Sequence, residues 1–152
     1  MEAFAAWVEA SALGRAAQGG DWTYPVANLV HLLGLALVIG PIGIVDLRLA
    51  GAFRALPLSP LSRALTPLAI SGLLLIGLSG PVLFAADARA LIYSPLLRAK
   101  LLLILLALSN ALAFRMLWHG AEPVPRPLKI MAIASLALWL TVAALGRLIA
   151  YQ

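Results

Sequence analysis

Cysteine is absent from the 152 residues. That excludes disulfides, thiolate nucleophiles, cysteine-ligated zinc and iron–sulfur clusters within the chain. Charge is scarce: 11% of the residues are Asp, Glu, Lys or Arg, against about 25% in soluble domains. Only two histidines and three well-separated methionines are present, too few for a metal coordination sphere. No nucleophile–base–acid set, glycine-rich phosphate loop or paired carboxylates can be found. Ser71, Ser79, Ser109 and Ser135 read as small packing residues. The net charge is +5, but the basic residues stand singly between apolar runs. The concentrated basic face that nucleic acid requires is missing, so nucleic acid is not an expected partner. The opening, Met1-Glu2-Ala3-Phe4 with Glu9 close behind, lacks the basic start and early apolar core of a cleavable signal peptide. The later apolar segments are expected to carry the targeting information.

What the sequence has in quantity is apolar length. Hydrophobic residues make up 63% of the chain, and the mean hydropathy is +1.01. A spanning helix needs about 20 consecutive, predominantly apolar residues, and four segments provide them. No charge occurs from Trp22 to Val45, giving a span over about 25–48. None occurs between Arg63 and Asp87, giving a second over about 63–86, with Pro57 and Pro60 expected to interrupt any helix before it. The third, about 96–118, is short in its uncharged part, but Lys100 and Arg115 can snorkel from its two ends. The fourth covers about 128–150, after a loop holding Pro123, Pro125 and Pro127. The second to fourth segments are apolar all round, whereas helices of a soluble protein would each show a polar face. Residues 2–17, with Phe4, Trp7, Val8 and Ala12 near helical spacing, read as one short amphipathic helix lying at the interface. The expected fold is therefore an all-α integral membrane protein. It is a single domain, 1–152, built as a four-transmembrane-helix up-down bundle behind an interfacial amphipathic helix. Its surroundings are the lipid bilayer.

The entry to the first span, Asp21-Trp22-Thr23-Tyr24-Pro25, places aromatic residues at headgroup level. Counting loop and flank charges sets Arg48, Arg54, Arg63, Arg115, Arg126 and Lys129 against Arg15, Arg89, Arg98, Lys100 and Arg147. By the positive-inside rule this balance leans toward both termini outside the cytoplasm. Glycines along the first two spans would let helix backbones approach closely.

Polar groups inside a membrane are costly and are therefore candidates for function. His31 lies about 9 Å into the first span and Lys100 about 6 Å into the third, at ~1.5 Å per residue. In an up-down bundle Asn28, His31, Lys100 and Arg147 fall in one layer near the N-terminal side. This layer is the candidate cofactor site. His31 reads either as a structural hydrogen-bonding residue or as a contact for b-type haem or a quinone. A second axial histidine is not available nearby, since His119 falls at the opposite end of the third span. Towards the other side fall Asp46, Arg48, Asn110 and Arg115, read as a structural polar layer in which Asp46 pairs with a basic residue such as Arg115. Trp139, deeper than the other tryptophans, reads as a packing residue.

His31-Leu-Leu-Gly34, followed by Asp46-Leu-Arg48-Leu and Gly51, resembles the first helix of a family of small bacterial inner-membrane proteins catalogued as a domain of unknown function. Pro67 with Gly72, Gly80 with Phe84, Lys100, Asn110 and the closing Gly146-Arg147-Leu-Ile-Ala-Tyr151 follow the same pattern, so the likeness covers roughly 22–151. The resemblance implies four spans and a bacterial inner-membrane location, and it implies no activity. Three functions are expected in order. The first is a non-catalytic accessory or assembly subunit of a larger membrane complex. The second is electron transfer with haem or quinone at His31. The third is a small-solute transporter or channel. Partners would be other membrane subunits or further copies of the chain.

Overall fold

The structure, a computed structural model, describes residues 1–20, 22–120 and 122–151. Asp21 of the first-span entry and Ala121 of the third loop lie outside the described residues. The regular secondary structure of the described chain is all helical, without strands. Its elements are α1 (Glu2–Glu9), α2 (Ala12–Gln18), α3 (Thr23–Ala50), α4 (Leu58–Ala86), α5 (Ala88–Leu91), α6 (Pro95–Leu117) and α7 (Arg126–Ile149). Four of them, α3, α4, α6 and α7, are long and apolar enough to cross a membrane.

Local chemistry explains the ends of these helices. The backbone at Gly51 turns left-handed, at φ 115°, and the N–H groups of Gly51 and Ala52 bond back to Arg48 and Leu47. This closes α3 with a Schellman-type cap, which a glycine adopts without steric cost. Helix α6 opens on Ser94, whose hydroxyl accepts from the Leu97 N–H, and Pro95 occupies the first helical position. Helix α4 begins at Leu58 rather than near 63. Pro60 falls in its first turn, where a missing N–H costs no helical hydrogen bond. The expectation that Pro60 would delay the helix is corrected for that reason.

The single helix expected over 2–17 is two. Ser11 ends the first and caps the second: its side chain donates to the Val8 carbonyl at 2.5 Å and accepts from the Gly14 N–H at 3.1 Å. Both short helices dock onto the turn joining α4 to α5. Glu9 accepts from the Arg89 backbone N–H at 2.8 Å and pairs with its guanidinium at 3.2 Å. Gln18 donates to the Ala86 carbonyl, and Ala5 and Ala88 are fully buried.

Helix α3 is the centre of the bundle. It packs against α4 on one side and α7 on the other, while α6 packs against α7. Close approach of α3 and α4 is set by Gly34 and Gly72. A Cβ added at Gly72 would sit 2.6 Å from the Gly34 carbonyl oxygen, and one at Gly34 would sit 2.8 Å from that of Gly72. The core between α3, α6 and α7 holds Val38, Ala107, Trp139 and Val142. A second cluster, Leu49, Leu58 and Ala132 with Phe114 and Trp118 against it, closes the end nearer the α3–α4 loop. Among the described residues, α4 and α6 do not pack along each other. The bundle is therefore open on one side.

Candidate functional site

Facing side chains of the four long helices enclose a cleft of about 190 Å³ behind the α4–α6 opening. Asp46 of α3, Ser62 and Thr66 of α4, Asn110 and Arg115 of α6, and Ser135 of α7 supply its polar lining; Ile42, Leu65, Phe114 and Trp118 are among its apolar walls. Asp46 is 8% exposed. Ser135 of α7 lines the cleft beside it, and Oδ2 of Asp46 is buried with no hydrogen-bond partner. A buried carboxylate oxygen without a donor is expensive, because it gives up water and receives nothing in exchange.

The neighbouring polar groups are committed in a consistent direction. The Thr66 hydroxyl donates to the Ser62 carbonyl at 2.7 Å, the usual back-bond of a helical threonine. The Asn110 amide nitrogen donates to the Met131 carbonyl of α7 at 3.0 Å and so ties α6 to α7. Arg115 is exposed on the rim, and no ion pair joins it to Asp46 among the described residues. Arg48 instead reaches across the end of the bundle. Its Nε donates to the Leu56 carbonyl at 2.7 Å, and its guanidinium lies 3.6 Å from Glu122. Arg48 and Asn110 thus hold loops and helices together, whereas Asp46 is left unpaired. Its lack of a basic partner was not foreseen, since sequence spacing does not show which way Arg115 turns.

On the N-terminal side, His31 Nδ1 lies 2.9 Å from the Ser79 hydroxyl of α4. That hydroxyl donates to the Leu75 carbonyl at 2.6 Å. The histidine therefore donates from Nδ1, and in the neutral ring Nε2 is left as an acceptor. The ring's Cε1 edge faces Gly80. Lys100 sits within electrostatic reach of His31, its Nζ over Gly146 of α7, 3.1 Å from where a Cβ would stand. Glycine at this position makes room for the ammonium. Asn28 is half-buried one turn before His31. Arg147 turns outward onto Tyr151, with its guanidinium 4.6 Å from the ring centre, and donates to the Tyr151 hydroxyl. The layer therefore brings His31 and Lys100 together and sends Arg147 elsewhere. Ser79, taken for a packing residue, is the partner that orients His31. A shallow apolar groove of about 460 Å³ runs along the outer seam of α3 and α4, lined by Trp22, Val26, Val30, Ser79 and Val82 among others. His31 lines neither this groove nor the cleft, so neither is a porphyrin slot with His31 as its axial ligand. Among the described residues no group of three His, Cys, Asp or Glu side chains could hold a metal ion.

Four apolar helices around a polar-lined cleft define a multi-pass helical membrane protein. Within that class, the chain belongs to a family of unknown function, DUF6644, whose model matches residues 4–152. No curated protein and no solved structure shows significant similarity to it.

Proposed function

We propose that this protein works as a non-catalytic subunit beside another membrane component, which covers the open α4–α6 side. The observation that carries this reading is the state of α6. Only 6% of its most apolar stretch is buried, against 22–28% in the other three long helices, and Leu101, Leu102, Leu105, Leu106 and Leu112 are all exposed. Behind it lies a cleft with one unsatisfied carboxylate oxygen, on Asp46, which hydrocarbon chains cannot solvate. A helix of another subunit, or of a second copy, would close that cleft. The basic-residue balance supports both termini on the periplasmic side of the bacterial inner membrane, the location that the family resemblance implies. Extraction of native membranes in mild detergent, followed by native electrophoresis, tests the reading. A discrete particle well above the mass of the 16.0 kDa chain with its detergent micelle is expected, and a lone monomer would contradict it.

A second reading, membrane electron transfer at His31, has one specific observation in its favour. Ser79 fixes Nδ1 as the donor, leaves Nε2 available, and itself lines the membrane-facing groove. A free Nε2 lone pair can accept from the hydroxyl of a reduced, lipid-soluble quinol or ligate a haem iron; His31 lines neither cavity, which favours the quinol. An absorption spectrum of purified protein, oxidised and then dithionite-reduced, separates the two: a Soret band lost in His31→Ala would favour haem. The transporter or channel reading has no comparable observation in its favour.

A further inference from the structure

We propose that the Asp46 cleft binds an organic ammonium group bearing N–H donors, carried on a short apolar body, with Asp46 as its counter-ion. This inference does not depend on the subunit reading, since all the groups it uses belong to this chain.

The hydrogen-bond directions decide what the cleft needs. Oδ2 of Asp46 is buried and unpartnered. Asn110 spends an amide N–H on Met131 and keeps its carbonyl as an acceptor. Thr66 spends its only proton on the Ser62 backbone and keeps its oxygen lone pairs. The lining also holds donors, in the second Asn110 N–H, the Ser62 and Ser135 hydroxyls and Arg115 on the exposed rim, but none of them is bonded to Oδ2 of Asp46. A ligand that satisfies that oxygen must donate. It should also carry one positive charge, because one buried carboxylate is the only acidic side chain in the lining among the described residues.

Size and wall chemistry narrow the class. A water molecule takes about 30 Å³ of liquid volume, so a cleft of about 190 Å³ is too large for a bare cation and suits an ammonium with a few carbons. A divalent metal would want six or more oxygens in a tight shell, and no cluster of acidic ligands is present among the described residues. Phe114 and Trp118, with ring centres 5.6 Å apart, offer aromatic surface, which attracts cations and packs against apolar chains. Asp46 stands only four residues before the end of α3, about 6 Å of helix, so the cleft lies near headgroup depth. The same chemistry therefore has two sources: a free primary amine, or the headgroup of an aminolipid entering between α4 and α6.

The test uses the detergent-purified full chain and dicyclohexylcarbodiimide, which forms an N-acylurea on carboxyl groups shielded from water. The label is located by peptide mass mapping. Asp46 is expected to react, and butylammonium chloride is expected to slow the consumption of its free carboxyl group, counted as N-acylurea plus any butylamide formed when the amine captures the O-acylisourea, tenfold or more, while sodium chloride at equal ionic strength leaves the rate unchanged. Asn110→Ala should keep Asp46 reactive and raise the protecting amine concentration roughly tenfold. Two nanodisc arms separate the sources. Slower labelling in phosphatidylethanolamine than in phosphatidylcholine, whose quaternary nitrogen carries no N–H, assigns a headgroup. Equal labelling in the two lipids, with protection by butylammonium, assigns a free amine. An Asp46 that does not react, that butylammonium fails to protect, or that sodium protects equally well would overturn the proposal.

Discussion

At the residue scale, the informative contrast lies between His31 and Asp46, both on α3. Both stand out in the sequence as polar residues within or at the end of an apolar run. The structure gives His31 a partner in Ser79 and leaves an Asp46 oxygen with none. Removing the partner of His31 should therefore cost stability. Ser79→Ala leaves the imidazole N–H unmatched at the α3–α4 interface and is expected to destabilise the folded protein by about 0.5–2 kcal/mol, the range of interhelical hydrogen bonds in membranes. Equilibrium unfolding in mixed detergent–SDS micelles would measure it; an unchanged midpoint would mean that the bond contributes nothing. Arg115→Gln removes a cation from the cleft rim and is expected to lower the butylammonium concentration that protects Asp46 from carbodiimide. Protection at an unchanged concentration would show that the rim charge does not compete. The roles of Ser79 and Arg115 were not legible in the sequence. Both depend on rotamers and helix rotation, which an apolar helix without a polar face does not encode.

At the element scale, the four spans were legible because an uncharged run of spanning length has few other meanings. The helix ends were less so. Pro60 looked like a breaker and is a first-turn residue, since proline's effect depends on where the preceding turn begins. The division into α1 and α2 hangs on Ser11, whose side chain both terminates and caps. Such a capping serine is visible in the sequence but was outweighed by the apolar spacing around it. Glycines could be marked as contact residues, but not ranked. The structure ranks them: Gly72 meets the backbone of α3, while Gly77 has nothing within 4 Å of an added Cβ. Gly72→Ala should force α3 and α4 apart and cost about 1–3 kcal/mol. Gly77→Ala, which relieves a helix of its glycine, should be neutral or stabilising by up to about 1 kcal/mol. Detergent unfolding of the two variants side by side checks the ranking, and equal losses would contradict the Gly34–Gly72 crossing.

At the scale of the whole molecule, the bundle is not closed. Helix α3 sits between α4 and α7, α6 hangs on α7, and the gap between α4 and α6 gives access to a cleft that all four long helices line. No property of the individual segments foretold this, because periodicity is weak in helices that are apolar all round, and pairing then rests on shape. The same openness underlies the proposal that another membrane component sits against α6. The most direct test is a photocrosslinking amino acid placed at Leu105 on α6, or at Leu78 in the outer α3–α4 groove as a control, with irradiation in native membranes. Both side chains are exposed, at 62% and 73%. A discrete protein adduct from position 105 and none from position 78 is the predicted result. Lipid adducts alone from position 105, in membranes where the protein is folded, would contradict the account.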